Sequence, residues 1–180
     1  FLMITLFAPI TFRIRTQNVL DINSIIKNQP QVKYNIMVLM LCTSNYDHIC
    51  SLGANYVYKW CQLHNYHFKM YRQKLNDQLH VNFSKFEMVK KAMIDHPDMD
   101  YFVLVDADIV FTTYDLSVET LIHNYSDSPD AKVFAPLDMG IGNIFIPYIS
   151  FGCYGTSLNV GFMIWRHDSL DILEKYLQVT

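Results

Sequence analysis

The stretch Asp100-Tyr-Phe-Val-Leu-Val-Asp-Ala-Asp-Ile-Val-Phe111 runs five apolar residues, Tyr101 to Val105, straight into two acids, Asp106 and Asp108. A run of that length with no polar position has no face to offer to water. It reads as a strand buried on both sides, and such strands belong to parallel sheets covered by helices. Ligands of open α/β sheets sit at the carboxyl ends of strands, and both acids lie at such an end.

The flanking segments supply the rest of such a sheet. Tyr34-Asn-Ile-Met-Val-Leu-Met-Leu-Cys42 is a second buried strand, followed by turn and capping chemistry in Thr43-Ser-Asn-Tyr-Asp47. From Asp47 to Leu63 the apolar residues Ile49, Leu52, Tyr56, Trp60 and Leu63 recur at helical spacing and are expected to form the buried face. His67-Phe-Lys-Met-Tyr71 alternates like a strand. Ser84 is expected to cap a helix from Lys85 to Asp95 with Phe86, Val89 and Met93 inward, stopped by His96-Pro97. Further on, the pattern predicts a helix near Ser117–Asn124, strands at 131–135 and 159–165, and a last helix capped by Asp168. Strands alternating with helices indicate an α/β fold, a mostly parallel sheet flanked by helices. One domain is expected over 34–180, with 1–33 a stem or linker.

Composition narrows the function. Apolar residues make up 51% of the 180, charged residues 17%, and the net charge is −3. A chain this apolar can bury a core, and without a basic block it has no surface for tracking phosphates, so nucleic acid is not an expected partner. The four cysteines are too few and scattered for a disulfide scaffold, and none form a C-x-x-C pair. The apolar opening Phe1–Ile10 is half the roughly 20 residues a spanning helix needs. It reads as the remnant of a signal-anchor, with a membrane anchor upstream of residue 1, as the apolar region of a signal peptide, or as an apolar strand. The sequons at Asn82 and Asn124 suit a secretory lumen but are weak signals.

Two carboxylates crowded after a buried strand repel each other, and burying them unpaired costs several kcal/mol. If strand geometry continued through them, both would point to the same side. A hard divalent cation, Mn²⁺ or Mg²⁺, resolves the repulsion and takes its remaining ligands from a diphosphate. The competing reading is that the acids cap a turn or pair with basic residues. Val105-Asp-Ala-Asp-Ile-Val-Phe111 also fits the nucleophile motif of haloacid-dehalogenase-type phosphohydrolases, in which the first Asp attacks phosphorus. That motif closes the first strand of its domain, whereas two strand candidates precede it here, and no acidic pair follows to complete the metal site.

A broader set of residues resembles glycosyltransferase family 34. The run Ser84-Lys-Phe-Glu-Met-Val-Lys-Lys-Ala-Met-Ile-Asp-His-Pro97 and the strand ending in D-x-D place Lys85, Lys90, His96, Pro97, Asp106 and Asp108 on that family's pattern without a gap. Asn55-Tyr-Val-Tyr-Lys-Trp-Cys-Gln-Leu-His-Asn-Tyr66 is similar to its N-x-x-x-Y-[AC]-x-x-H-G-Y helix end, with a small spacing difference and Asn65 for Gly. Leu158-Asn-Val-Gly-Phe-Met-Ile-Trp-Arg-His-Asp-Ser169 is similar to its L-N-x-G segment. The glycogenin-like family 8 shares Lys, D-x-D and N-x-G and is a close second.

The resemblance implies a GT-A-like (Rossmann-like) fold of the nucleotide-diphospho-sugar transferase type. It also implies a metal-dependent retaining transfer of a sugar, from a UDP-sugar to a glycan or glycoconjugate, in the Golgi or endoplasmic reticulum lumen. Asp108 would hold Mn²⁺ or Mg²⁺, and Asp106 would share it while reaching the ribose. Thr43 and Ser44 would face the base, Lys85 the donor sugar or diphosphate, and Ala107, Asn159 and Gly161 would lie against the donor. Asp138 is a candidate contact to sugar or acceptor, and no residue is named as nucleophile. His64 and His96 read as helix-end structural residues. The family's third metal ligand, a His beyond the N-x-G segment, is not matched before Thr180; His167 is too close to that segment. The C-terminal part of the domain and much of the acceptor site are therefore expected outside this chain. The alternative is a truncated, non-catalytic fragment.

Overall fold

Met37 and Leu39 pack on one side of the central sheet, and Ile36, Val38 and Met40 on the other. Phe102 and Leu104 divide from Tyr101, Val103 and Val105 in the same way. This two-residue alternation of side chains, with apolar residues at every position, is why both strands need cover on both faces. The computed structural model describes residues 32–111, 113–125, 130–138, 157–158 and 160–178. The anchor and stem expected for 1–33 therefore lie almost wholly outside the described residues. Among those described, no helix is long and apolar enough to cross a membrane.

In chain order the elements are β1 (Ile36–Leu41), α1 (Asp47–His64), β2 (His67–Tyr71), α2 (Val81–Asp95), β3 (Tyr101–Val105), α3 (Val118–Tyr125), β4 (Val133–Phe134), β5 (Leu137–Asp138), β6 (Ser157–Leu158), β7 (Phe162–Arg166) and α4 (Leu170–Leu177). The main sheet has the order β2-β1-β3-β7-β4. β1 pairs in parallel with both β2 and β3, while β7 is antiparallel to β3 and to β4. Four of the five strands thus point the same way, the mostly parallel sheet expected, and β7 alone reverses. β5 and β6 form a separate antiparallel pair.

The helices divide between the two faces. Val57, Trp60 and Cys61 of α1 and Val118 and Ile122 of α3 cover one side. Phe86, Met88, Val89, Ala92 and Met93 of α2, with Leu173 of α4, cover the other. The helix leaving β1 and the helix entering β3 therefore lie on opposite faces of adjacent strands. A crevice opens between the carboxyl ends of such strands, and that is where this class of sheet binds ligands.

Several local expectations are corrected. The buried face of α1 is Cys50, Gly53, Val57, Trp60 and Cys61, and of the expected stripe only Trp60 belongs to it. Leu52 and Leu63 are 58% and 62% exposed. Both stripes have three- and four-residue spacing, so periodicity does not choose between them; Gly53 faces inward where the helix lies close against the Ala107 carbonyl in the loop after β3. Ser84 is not a cap: α2 begins at Val81, capped by the His80 ring accepting from the Asn82 amide at 3.3 Å, and the Ser84 hydroxyl is buried, donating to the Asn76 carbonyl at 3.3 Å. Asp168 lies in a 3-10 turn, His167–Ser169, ahead of α4, bound to Arg166 rather than capping. The strands expected at 131–135 and 159–165 are the shorter, shifted β4 and β7. α1 stops at Asn65, whose φ of 62° and ψ of 41° are left-handed, a conformation Asn tolerates better than other non-glycine residues and where the family pattern has Gly.

Candidate functional site

β3 ends at Val105, and the chain turns at once. The Ile109 amide donates back to the Asp106 carbonyl at 3.2 Å, so residues 106–109 form a turn rather than a continued strand. The condition that would have aimed both carboxylates to one side by alternation is not met; turn geometry sets them instead. The Asp106 amide donates to the Gly161 carbonyl at 2.7 Å, which draws the start of β7 onto the acidic turn.

Below the turn, α2 supplies Lys85. Its Nζ donates to both carboxylate oxygens of Asp106, at 2.9 and 3.0 Å. The Lys85 side chain is 5% exposed and that of Asp106 36%, so an ammonium at the sheet edge is neutralised by an acid at the rim. An ammonium buried without such a partner costs several kcal/mol. The positive charge of Lys85 thus stands directly against Asp106, at the acidic turn. Asp108, two residues on, is exposed.

The fit of a divalent cation follows from these contacts. An ionised carboxylate offers about four lone-pair positions, and Lys85 takes two of those on Asp106. The remaining lone pairs of Asp106 and the exposed carboxylate of Asp108 are hard oxygen donors, the donor type that Mg²⁺ or Mn²⁺ takes alongside phosphate oxygens. Among the described residues no group of three or more His, Cys, Asp or Glu could hold a metal alone. A cation here would therefore depend on ligand oxygens. His167 is at the wrong end, its amide bonded to the Asp100 carbonyl ahead of β3. A cavity of about 350 Å³ between Tyr34, Tyr101 and Arg166 lies at that same far end.

β1 brings its own loop to the crevice. Thr43 is half-buried, its carbonyl accepting from the Tyr46 amide at 2.9 Å, and Ser44 is exposed in the 3-10 turn Ser44–Tyr46. Neither side chain caps the turn or helix that follows. A disulfide between Cys42 and Cys50, Cα atoms 5.8 Å apart, pins this loop to the first turn of α1. Arg72, just past β2, reaches Asp47 at 2.7 Å on the same edge.

The structure thus gathers Thr43, Ser44, Lys85, Asp106, Ala107, Asp108 and Gly161 on the carboxyl edge. Asp138 falls in β5 opposite Ser157, in the separate small sheet. Asn159 lies outside the described residues. His64 and His96 are helix-end residues as expected: the His64 ring Nε2 is 2.6 Å from the Tyr114 carbonyl, and His96 Nε2 is 3.2 Å from Lys69 Nζ. Sequence reasoning passed over Arg72, the disulfide and Gly53. Gly53 carried a signal, being a glycine within a helical pattern; Arg72 carried only its place after a strand.

The segment beyond the acidic turn is splinted to α1. Trp60 stacks on Phe111 with ring centroids 4.6 Å apart and donates from its indole to the Leu116 carbonyl at 2.9 Å. Tyr66 donates to Glu119 at 2.5 Å and accepts from the Val118 amide at 2.9 Å. Burial, reinforced by the bond to Glu119, pushes the Tyr66 phenol well above its usual range. Burial, opposed in part by a backbone hydrogen bond, pushes the Cys61 thiol up to about 12, which favours the protonated form at neutral pH.

Comparison with known proteins agrees with this architecture. The sequence profile of the galactosyl transferase GMA12/MNN10 family matches residues 35–127, from β1 through α3, and includes Lys85, Asp106 and Asp108. Two rice proteins, each named "Probable glycosyltransferase 6", from Oryza sativa subsp. indica and subsp. japonica, are 34% identical over 68 residues. That stretch is 38% of this chain and 14% of theirs, so the match spans a small part of the rice proteins' length. The crystal structure of a glycosyltransferase involved in the glycosylation of the major capsid of PBCV-1 superposes with a TM-score of 0.62. It is 15% identical, covering 81% of this chain and 66% of that one, a likeness of fold. The third-strand position of the D-x-D and the profile match together exclude the phosphohydrolase reading, and the chain belongs to the galactosyl transferase GMA12/MNN10 family of glycosyltransferases.

Proposed function

We propose that this chain carries the donor side of a glycosyltransferase that moves a sugar from a nucleotide-sugar, a UDP-sugar, to a hydroxyl of a glycan or glycoconjugate. The observation that carries the reading is the acidic turn 106–109, at the carboxyl end of β3 beside β1 and bonded to Lys85 of α2. Thr43 and Ser44, which follow the disulfide-bonded Cys42, would face the base from the β1 side, and Asp106 would reach the ribose. Gly161, its carbonyl on the Asp106 amide, lets the start of β7 approach the donor sugar without a side chain in the way. Asn159 is assigned to the donor sugar on the family's N-x-G pattern, and Asp138 is a candidate contact to sugar or acceptor that no motif supports.

Asp108 and the free lone pairs of Asp106 would hold Mn²⁺ or Mg²⁺. Such a cation supplies neutralisation of charge on the departing diphosphate. Lys85 contributes by fixing Asp106: a carboxylate held in place needs no reorganisation when the diphosphate arrives. Arg72 is exposed on the same edge and can exchange Asp47 for a phosphate oxygen. The disulfide supports a lumenal site of action, the Golgi or endoplasmic reticulum, since disulfides persist in oxidising compartments.

Titration calorimetry with UDP, with and without Mn²⁺, tests the reading. Metal-dependent binding that disappears in Asp108→Ala supports it. A folded chain that binds no UDP under either condition overturns it in favour of a non-catalytic fragment.

A further inference from the structure

Helix α1 meets the acidic turn at a residue without a side chain. The carbonyl oxygen of Ala107 is so close to Gly53 that a Cβ there would lie 2.1 Å from it and 3.1 Å from the carbonyl carbon. Both partners are backbone, one in a helix and one in the peptide between the two acids, so no side-chain rotation relieves the contact. Glycine inside a helix is less favourable than alanine. The close approach is what this position gains in exchange.

The surroundings decide which side yields. One turn before Gly53, Cys50 is joined to Cys42 at the end of β1. Two turns after it, Trp60 is buried, stacked on Phe111 and bonded to the Leu116 carbonyl. The helix is therefore anchored on both sides of the contact. In the turn, Asp106 is held by Lys85 from α2 and by the carbonyl of Gly161, the residue before β7, whereas Asp108 is exposed. A push at Ala107 acts between an acid that is fixed and one that is not.

We propose that Gly53 is a positioning residue of the donor site: its bare α-carbon sets the depth at which the 106–109 turn seats on α1, and so the placement of Asp108 relative to Asp106. The inference rests on the donor-site reading above.

The test is UDP binding in the presence of Mn²⁺, measured on the intact chain and on Gly53→Ala and Val57→Ala, with thermal unfolding of each. Val57→Ala removes atoms from the same buried face instead of adding one, so it reports what loss of packing does by itself. Gly53→Ala is expected to weaken metal-dependent binding by about tenfold or more, because a coordinating carboxylate displaced on the ångström scale no longer meets its partners. Val57→Ala is expected to lower the unfolding temperature and leave the dissociation constant unchanged. Unchanged binding in Gly53→Ala, or equal losses in the two variants, overturns the inference while the donor site stands. Absent metal-dependent binding in the parent chain overturns the donor site and the inference with it. Should Gly53→Ala not fold, Ala107→Gly, which slackens the same turn without adding an atom, must weaken binding; unaffected binding there overturns the inference.

Discussion

Lys85 and Asp106 form an asymmetric pair: the ammonium is buried and gives both its carboxylate contacts, 2.9 and 3.0 Å, to an acid whose side chain is 36% exposed. The asymmetry has an energetic consequence. Removing the acid strands a charge in the interior, and removing the base leaves a carboxylate that water can reach. Asp106→Asn is expected to cost about 3 kcal/mol, near the value for breaking a buried pair. Lys85→Met is expected to cost less, about 1–2 kcal/mol. Urea denaturation of the two variants checks the order, and a larger loss in Lys85→Met would contradict it.

Asp108 behaves differently because it is exposed in a turn. Asp108→Ala is expected to change stability by no more than about 0.5 kcal/mol, the usual range for surface substitutions. Metal-dependent UDP binding is expected to be lost. Denaturation midpoints beside calorimetric titrations separate the two effects, and binding retained at full strength would remove Asp108 from the metal site.

The Tyr66 phenol links stability to alkaline pH. Its ordinary value is 10.0, and in the folded chain burial and Glu119 hold it well above that. Between 10.0 and the folded value the unfolded chain has lost the proton and the folded chain has kept it, so stability falls as pH rises. The contribution is complete below pH 10.0. Tyr66→Phe is expected to flatten the stability curve above that pH, while costing about 1–3 kcal/mol at neutrality by orphaning Glu119 and the Val118 amide. Denaturation curves from pH 8 to about 11 read both.

The Cys42–Cys50 disulfide closes a short loop, a sequence separation of 8. Loop-closure entropy for a ring of that size corresponds to about 2–3 kcal/mol. Reduction with dithiothreitol is expected to lower the unfolding free energy by that amount and to weaken UDP binding through the freed Thr43–Ser44 loop. A Cys42→Ala/Cys50→Ala chain, insensitive to dithiothreitol, is the control; unchanged stability on reducing the parent chain would show that the bridge contributes nothing.

How much was legible beforehand depended on whether the local signal was unique. The runs 36–41 and 101–105 are apolar at every position, so no alternative placement competes with a two-faced buried strand, and both stand where expected. Helix α1 carries two interleaved apolar stripes with the same spacing, and its rotation was therefore misjudged by one residue. The acids were found because they interrupt an apolar run. That Lys85 is the basic residue paired with Asp106 is not legible locally, because nothing in the sequence says that a helical lysine 21 residues away is buried beside the turn.

The order of apolar runs, turn residues and acids along the chain settled the α/β class, the position of the acidic turn after a central strand, and the family pattern, all of which are encoded within a few neighbouring residues. The pairing of Lys85 with Asp106, the seat of Ala107 on Gly53, the disulfide from β1 to α1 and the reversed direction of β7 join residues far apart in the chain or on different elements. Such contacts are decided by which helix covers which face and how closely it approaches, and that is a property of the packed core as a whole.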